Sequence, residues 1–463
     1  MEPLAGRNAP DFRPKNGVRN FRAPTFVRLA SATPGTSLPR GRRRSETRRF
    51  KGDACVVKGR LTLLAATLAT LFAGGALAGG RTEDFWAVGR PTPRQGYQLA
   101  PVSAFPVPTP ADQLPLSKLR APEGFKVELF ASDLLDARMM REGDKGTLFV
   151  SSLFVANKVY ALIDKNGRRE VHTVLDDAPL ANGIEFHGGA LYVATPKRIV
   201  RLDDIEARLD DPPKPVVVYD RFPPAPQYGW KVLKFGPDGK LYVPVGAPCN
   251  ICLPADGYAR ILRMNPDGTG VETVATGVRN TVGFDFDPRS GDLWFTDNQP
   301  DWVSDDMPLD ELNHVRRPGE NFGFPYCHSG LLVDPEFGGN RRCSEFSRPA
   351  ALLGAHVAPL GMRFYTGASF PEKYRGAIFI ARHGPWNRPR KTADVAVAFL
   401  NDRREVITVE PFLTGFVQDE DYVGRPVDVH VMRDGSLLVS DDQNGAIYRV
   451  SYVGGQAADA PTR

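Results

Sequence analysis

One short phrase recurs six times along this chain, and no other feature limits its fold as tightly. A glycine turn runs into an alternating apolar strand at Gly146-Thr-Leu-Phe-Val, Gly189-Ala-Leu-Tyr-Val, Gly239-Lys-Leu-Tyr-Val, Gly291-Asp-Leu-Trp-Phe, Gly376-Ala-Ile-Phe-Ile and Gly435-Ser-Leu-Leu-Val. Asp238-Gly239 and Asp434-Gly435 are hairpin dipeptides, and many phrases lead into a second strand such as Lys158-Val-Tyr-Ala-Leu or Arg260-Ile-Leu-Arg-Met. Successive glycines lie 43, 50, 52, 85 and 59 residues apart. A four-stranded propeller blade occupies about 40–50 residues, so the repeat predicts an all-β, six-bladed β-propeller whose largest insertion falls between Gly291 and Gly376. The segment Phe125-Lys-Val-Glu-Leu-Phe is expected to close the ring against the C-terminal blade. The 45 Gly and 41 Pro suit many short strands and turns, and no helical period is sustained after residue 112.

The formal charge of +5 is unevenly spread. Of 59 Lys/Arg and 54 Asp/Glu, 15 and 4 fall within the first 78 residues, which leaves 44 and 50 for the rest. The predicted propeller is therefore acidic, and a nucleic-acid partner loses its electrostatic basis. The first part divides by composition. Residues 1–57 read as a disordered basic extension, possible as a translated arm or as a start assigned too early. Residues 58–78, with Lys58 and Arg60 before an apolar run that ends Ala-Leu-Ala, read as a signal peptide for periplasmic or secreted destination. A short membrane anchor is the alternative. Residues 79–111 are a Pro-rich arm expected to lie over the propeller of 112–453, and 454–463 form a disordered tail.

Four cysteines follow the leader: Cys249, Cys252, Cys327 and Cys343. In an exported chain they suggest two disulfides, most simply 249–252 and 327–343, although spacing alone permits three connectivities. Five Asp and one Glu lie between residues 296 and 311 among prolines. Such an oxygen-rich, irregular stretch suits Ca²⁺, and it equally suits a solvated acidic loop.

At several points the chain resembles the pyrroloquinoline-quinone-dependent sugar dehydrogenases. The motifs are Gly277-Val-Arg-Asn-Thr-Val-Gly-Phe-Asp-Phe-Asp-Pro, Leu293-Trp-Phe-Thr-Asp-Asn, Asp310-Glu-Leu-Asn and Pro318-Gly-Glu-Asn-Phe-Gly-Phe-Pro. Gly229-Trp-Lys, Gly246-Ala-Pro-Cys-Asn-Ile-Cys, His356-Val-Ala-Pro-Leu-Gly, His383-Gly-Pro-Trp-Asn-Arg and Gly424-Arg-Pro-Val are closest to the sorbosone dehydrogenase branch. The resemblance covers residues 112–453. It implies oxidation of a sugar or aldehyde by hydride transfer to the quinone, with electrons passed to a respiratory quinone or cytochrome c. A tricarboxylate cofactor needs paired cationic donors, a role the resemblance gives to Arg279, Asn280 and Arg425. Arg382, Trp386 and Arg388 are further cofactor-pocket candidates. Ca²⁺ is expected against the quinone, on main-chain carbonyls near Gln299 and Pro300.

Two positions depart from the family pattern. Pro385 stands where Ser is usual. Tyr228 replaces the His that serves as general base, and an ordinary tyrosine, with a pKa near 10, is a poor base at neutral pH. Three readings stay open: Tyr228 is activated, His356 or His383 takes the proton, or the protein binds cofactor and turns over slowly. A Ca²⁺-dependent propeller hydrolase or lactonase and a non-catalytic binding propeller are the rival functions. Arg279, Asn280 and Arg425 discriminate, because a lactonase has no need of them.

Overall fold

Each of the six glycine phrases forms the second strand of a four-stranded antiparallel unit, the position at which a strand is flanked on both sides and buried. Leu148–Ser151, Ala190–Ala194, Leu241–Val245, Leu293–Asp297, Ile378–Arg382 and Leu437–Asp441 occupy it in turn. The computed structural model describes residues 106–454, except 225–227, 302 and 387. The expected basic extension, the leader, the arm before Pro106 and the tail beyond Gly454 lie outside the described residues.

The blades start with the strands Met140–Glu142, Gly183–His187, Lys234–Phe235, Gly283–Phe286, Pro359–Phe364 and Pro426–Val431. These first strands touch their counterparts in neighbouring blades and so line the axis. The sixth blade takes its outer strand from the chain start: Phe125–Ala131 pairs antiparallel with Ala446–Tyr452, as the sequence predicts. Phe125 meets the rings of Phe370, Tyr374, Phe412 and Tyr452 edge-on at 4.7–5.4 Å, which pins this closure. The long insertion leaves the fourth blade after Leu309–Val315, adds Glu320–Asn321 to the edge of the third blade, and returns as Ala351–Ala355. Both expected disulfides form, 249–252 and 327–343.

The first strands also carry a feature absent from the sequence reading. Each blade contributes one charged side chain to the axis: Arg141, Glu185, Lys234, Asp285, Arg363 and Asp428, with sign alternating around the ring. Arg141 bridges Glu185 and Asp428, Lys234 reaches Asp285 at 3.3 Å, and Arg363 lies 3.8 Å from Asp428. All but Lys234 are buried, and alternation lets each charge find an opposite neighbour, without which burial would be prohibitive. Three residues earlier, about 10 Å along an extended strand, stand Arg138, Asn182, Lys231, Val282, Leu360 and Arg425. This second layer leads to a cleft.

Candidate functional site

The cleft has a volume of about 1000 Å³ and takes its floor from Arg138, Val282, Leu360 and Arg425 of that layer. Loops between strands supply the walls. Tyr228, Arg279, Asn280, Gln299, His356, His383 and Trp386 all line it, so seven of the sequence candidates converge on one space together with Arg425.

Arg279 is the most enclosed of them, only 1% exposed. Its backbone is fixed from below, since Asp297 accepts from the Arg279 and Asn280 amides at 2.9 and 2.6 Å. Burial raises the Asp297 carboxyl to about 7 despite those two donors. The guanidinium donates through Nε to the Asn250 carbonyl at 2.9 Å and through Nη1 to the Asn298 carbonyl at 2.8 Å. Nη2 donates to the Tyr228 hydroxyl and to Asn250 Oδ1, and lies 3.3 Å from Asp301. The same guanidinium lies over the Tyr228 ring, 4.4 Å from its centroid. The Tyr228 hydroxyl in turn donates to Asp301 Oδ2 at 3.4 Å. Gly246 makes this approach possible, because a Cβ there would stand 2.8 Å from the Tyr228 carbonyl.

A second cationic group occupies the opposite part of the cleft. Arg138 Nη1 donates to Asp442 at 2.7 Å, and His383 Nε2 donates to the same carboxylate at 3.0 Å. Arg425 is held by the carbonyls of His383 and Gly384 and lies over the Tyr422 ring. Burial, reinforced by Arg425, pulls the His383 imidazole down to about 4 against the pull of Asp442. His383 is thus neutral near pH 7 and a weak proton acceptor. His356 is arranged differently: Nε2 donates to the Ser304 carbonyl at 2.7 Å, which leaves Nδ1 with a lone pair, buried and without a partner among the described residues.

Beside it, the Gln299 amide donates to Asp310, whose second oxygen accepts from Ala358. The Gln299 side-chain oxygen is buried without a hydrogen-bond partner among the described residues. Desolvation lifts Asp310 to about 7. Among the described residues, no three His, Cys, Asp or Glu side chains converge to hold a metal ion, so any cation here would depend on carbonyl and amide oxygens.

Several expectations are corrected. Arg382 forms a fork with Asp394, and Arg388 pairs with Asp306; both line a separate pocket of about 360 Å³ and not the main cleft. Pro300 keeps its place as a main-chain candidate, since its neighbours Gln299 and Asp301 line the main cleft. The acidic run is not one irregular loop, because Asp297 ends one strand and Asp310 and Glu311 begin the next. Lys231, three residues after Tyr228, does not line the cleft and donates to the Gly229 carbonyl. The sequence reading missed Arg138, Asn250, Asp301 and Asp442. Of these only Asn250 carries a local signal, its place between two cysteines.

A family model described as Glucose / Sorbosone dehydrogenase matches residues 215–449. An uncharacterized protein of Borreliella burgdorferi is 32% identical over 369 residues, 73% of this chain and 91% of that protein. A pyrroloquinoline quinone-dependent sugar dehydrogenase of Hypocrea jecorina is 26% identical over 211 residues, 38% of this chain and 47% of that one. The Trichoderma reesei enzyme of carbohydrate-active family AA12, in its iodide structure, shares the fold with a TM-score of 0.62 at 19% identity, covering 72% of this chain and 97% of that chain. The holo form of the pyranose dehydrogenase PQQ domain from Coprinopsis cinerea does so with 0.59 at 19%, over the same shares.

Proposed function

This chain belongs to the glucose/sorbosone dehydrogenase family, and from that premise we propose that it is an exported quinoprotein oxidoreductase. It oxidises a sugar or sugar-derived aldehyde, of the sorbosone or aldose type, using pyrroloquinoline quinone and Ca²⁺. One observation carries the reading: arginines from three separate blades, Arg138, Arg279 and Arg425, meet in one cleft walled by Trp230 and Tyr422. A flat tricarboxylate needs such cations at its rim and aromatic surfaces at its faces. The metal fit rests on oxygen donors at Gln299, whose side-chain oxygen lacks a partner, with the carbonyls of Gln299 and Pro300. When bound, the quinone would supply a two-electron hydride acceptor and Ca²⁺ a Lewis acid beside it.

The chain's own part is to bind, orient and take a proton. Tyr228 holds the position of the family's base, and its oxygen is braced by Arg279 and linked to Asp301. The substrate hydroxyl passes its proton to the Tyr228 oxygen while the phenol proton moves to Asp301. Cationic Arg279 favours the negative charge that develops on that oxygen. His356 is the second reading, favoured by its free Nδ1 lone pair. His383 is the weakest acceptor of the three, because its surroundings hold it neutral. Electrons leave to a respiratory quinone or cytochrome c. The two disulfides support an oxidising compartment outside the cytosol. Among the described residues no helix is long and apolar enough to cross a membrane.

Dye reduction by purified protein, with and without pyrroloquinoline quinone and Ca²⁺, tests the reading. Turnover of an aldose or sorbosone that requires the quinone supports it. Lactone hydrolysis without quinone overturns it in favour of the hydrolase alternative. Tyr228→Phe and His356→Gln then assign the proton: the variant that loses turnover by 100-fold or more while still binding quinone marks the base.

A further inference from the structure

The Cys249–Cys252 disulfide closes a loop of four residues, and a loop that short gains little unfolded-state entropy from being tied. Its value must be local. The residue it holds is Asn250, which makes four hydrogen bonds to two cleft residues. The Asn250 carbonyl accepts from Arg279 Nε at 2.9 Å and its Oδ1 accepts from Arg279 Nη2 at 2.7 Å. The same Oδ1 accepts from the Asp301 amide at 2.8 Å, and Nδ2 donates to the Asp301 carbonyl at 2.8 Å. A little upstream, the Ala247 amide donates to the Arg279 carbonyl at 2.8 Å, anchoring the loop to the same turn. The flexible stem of an arginine gives its rigid, planar guanidinium many poses, and a pair of side-chain and main-chain oxygens selects one.

We propose that Asn250, tied by the Cys249–Cys252 bridge, is a positioning residue that aligns Arg279 and Asp301 together beside the Tyr228 hydroxyl. Asn250 does not line the cleft and touches no reacting atom; it acts through the two residues it holds. The bridge keeps its main-chain carbonyl and its side chain aimed the same way, which a free loop of this length would not. Reduction of the bridge therefore loosens the cleft without unfolding a blade, since the sheets are joined elsewhere.

The role for turnover rests on the quinone reading above, so the deciding measurement is independent of quinone. Phenylglyoxal modifies accessible guanidinium groups, and peptide mass spectrometry of the full-length apoprotein reports Arg279 directly. The wild type is expected to protect Arg279, and Asn250→Ala to raise its modification rate at least tenfold, with the unfolding midpoint of the apoprotein within a few degrees. Asn250→Asp, which keeps both acceptor bonds to Arg279, is expected to restore protection. The double variant Cys249→Ser/Cys252→Ser, or the reduced wild type, is expected to resemble Asn250→Ala. In quinone-loaded protein the same variants weaken quinone binding, read by quenching of cleft tryptophan fluorescence, and lower kcat more than they raise KM. Unchanged Arg279 protection in Asn250→Ala refutes the positioning role. Increased modification in a protein whose wild type binds no quinone leaves that role standing and refutes only the cofactor assignment.

Discussion

Replacing Lys231 by methionine is expected to make the protein more stable at pH 6–7 and less stable near pH 10. Lys231 is 2% exposed and, among the described residues, pairs with no carboxylate and donates only to the Gly229 carbonyl, with the Phe222 ring 5.1 Å away. Burial accordingly pulls its ammonium down to about 7. In the unfolded chain the group titrates near 10.4. Below pH 7 both states are charged and the folded state bears the whole desolvation cost, about 4–5 kcal/mol at roughly 1.4 kcal/mol per pKa unit. Between pH 7 and 10.4 the folded state releases its proton first, so that cost fades and stability rises with pH. Methionine keeps the length and apolar stem but strands the Gly229 carbonyl, a loss of about 1–3 kcal/mol. The balance is a gain of about 1–3 kcal/mol at pH 6–7, shrinking by about 3 kcal/mol on going to pH 9.5 and so changing sign. Urea unfolding midpoints of wild type and Lys231→Met at pH 6, 7.5 and 9.5 measure it. A stability difference that does not vary with pH would show that this ammonium is not strained, and the reasoning would fail.

Asp428→Asn removes the carboxylate that Arg141 and Arg363 share, and is expected to cost about 3–5 kcal/mol in unfolding free energy; a loss below 1 kcal/mol would mean that the axial ring contributes nothing. Asp297 and Asp310, both raised to about 7, bind protons in the folded state that the unfolded chain gives up, so their contribution improves as pH falls from 8 toward 4. His383, lowered to about 4, works the other way and costs stability as pH falls below 6.5. The two carboxyls outweigh the one imidazole, so thermal scans should show the apoprotein's Tm rising as pH falls from 8 to 5, and a Tm that instead only rises from pH 5 to 8 would contradict the two carboxyl assignments. Arg279→Ala should weaken quinone binding by about 2–5 kcal/mol, with Arg279→Lys also impaired; titration by fluorescence decides, and intact affinity in the alanine variant removes Arg279 from the clamp. Exported protein should begin near residue 79, and N-terminal sequencing that finds residues 1–57 would refute the leader.

The blades were legible because a second strand, buried on both faces, has to be apolar directly after a tight turn, and a glycine followed, one residue on, by three consecutive apolar side chains recurs in every copy. The axial ring was not legible. Its members precede the phrase glycine by five residues at Arg141 and Lys234, four at Glu185, six at Asp285, thirteen at Arg363 and seven at Asp428. Hairpins of different length hide the register until the strands are paired. Arg279, Asn280 and Arg425 could be chosen because each follows a short motif at the head of a first strand. Arg382 and Arg388 share a motif with His383 and Trp386, but strand alternation sends Arg382 to Asp394 on the opposite side of the backbone from the cleft. Asp301 and Asp442 were passed over because a single Asp in an acidic chain carries no signal until an arginine is seen beside it.

The two layers of the axis explain why the cleft should prefer an anion. The deeper ring alternates in sign, so its six charges satisfy one another and need no ligand. The layer three residues above keeps the cations Arg138 and Arg425 but places Asn182, Val282 and Leu360 where the deeper ring has its carboxylates or a further cation, and Lys231 is half neutral. No acid stands in that layer. Asp442, from the sixth blade's second turn, answers Arg138 and His383, while Arg425 is left to two main-chain carbonyls and an aromatic ring. A half-buried guanidinium whose hydrogen bonds among the described residues go only to neutral carbonyls is incompletely compensated by the carboxylates farther off, and desolvation depresses its protonated form accordingly. A carboxylate arriving in the cleft supplies the missing charge. The site is thus electrostatically unfinished toward the axis, in the way that a polyanionic cofactor of the proposed kind would complete.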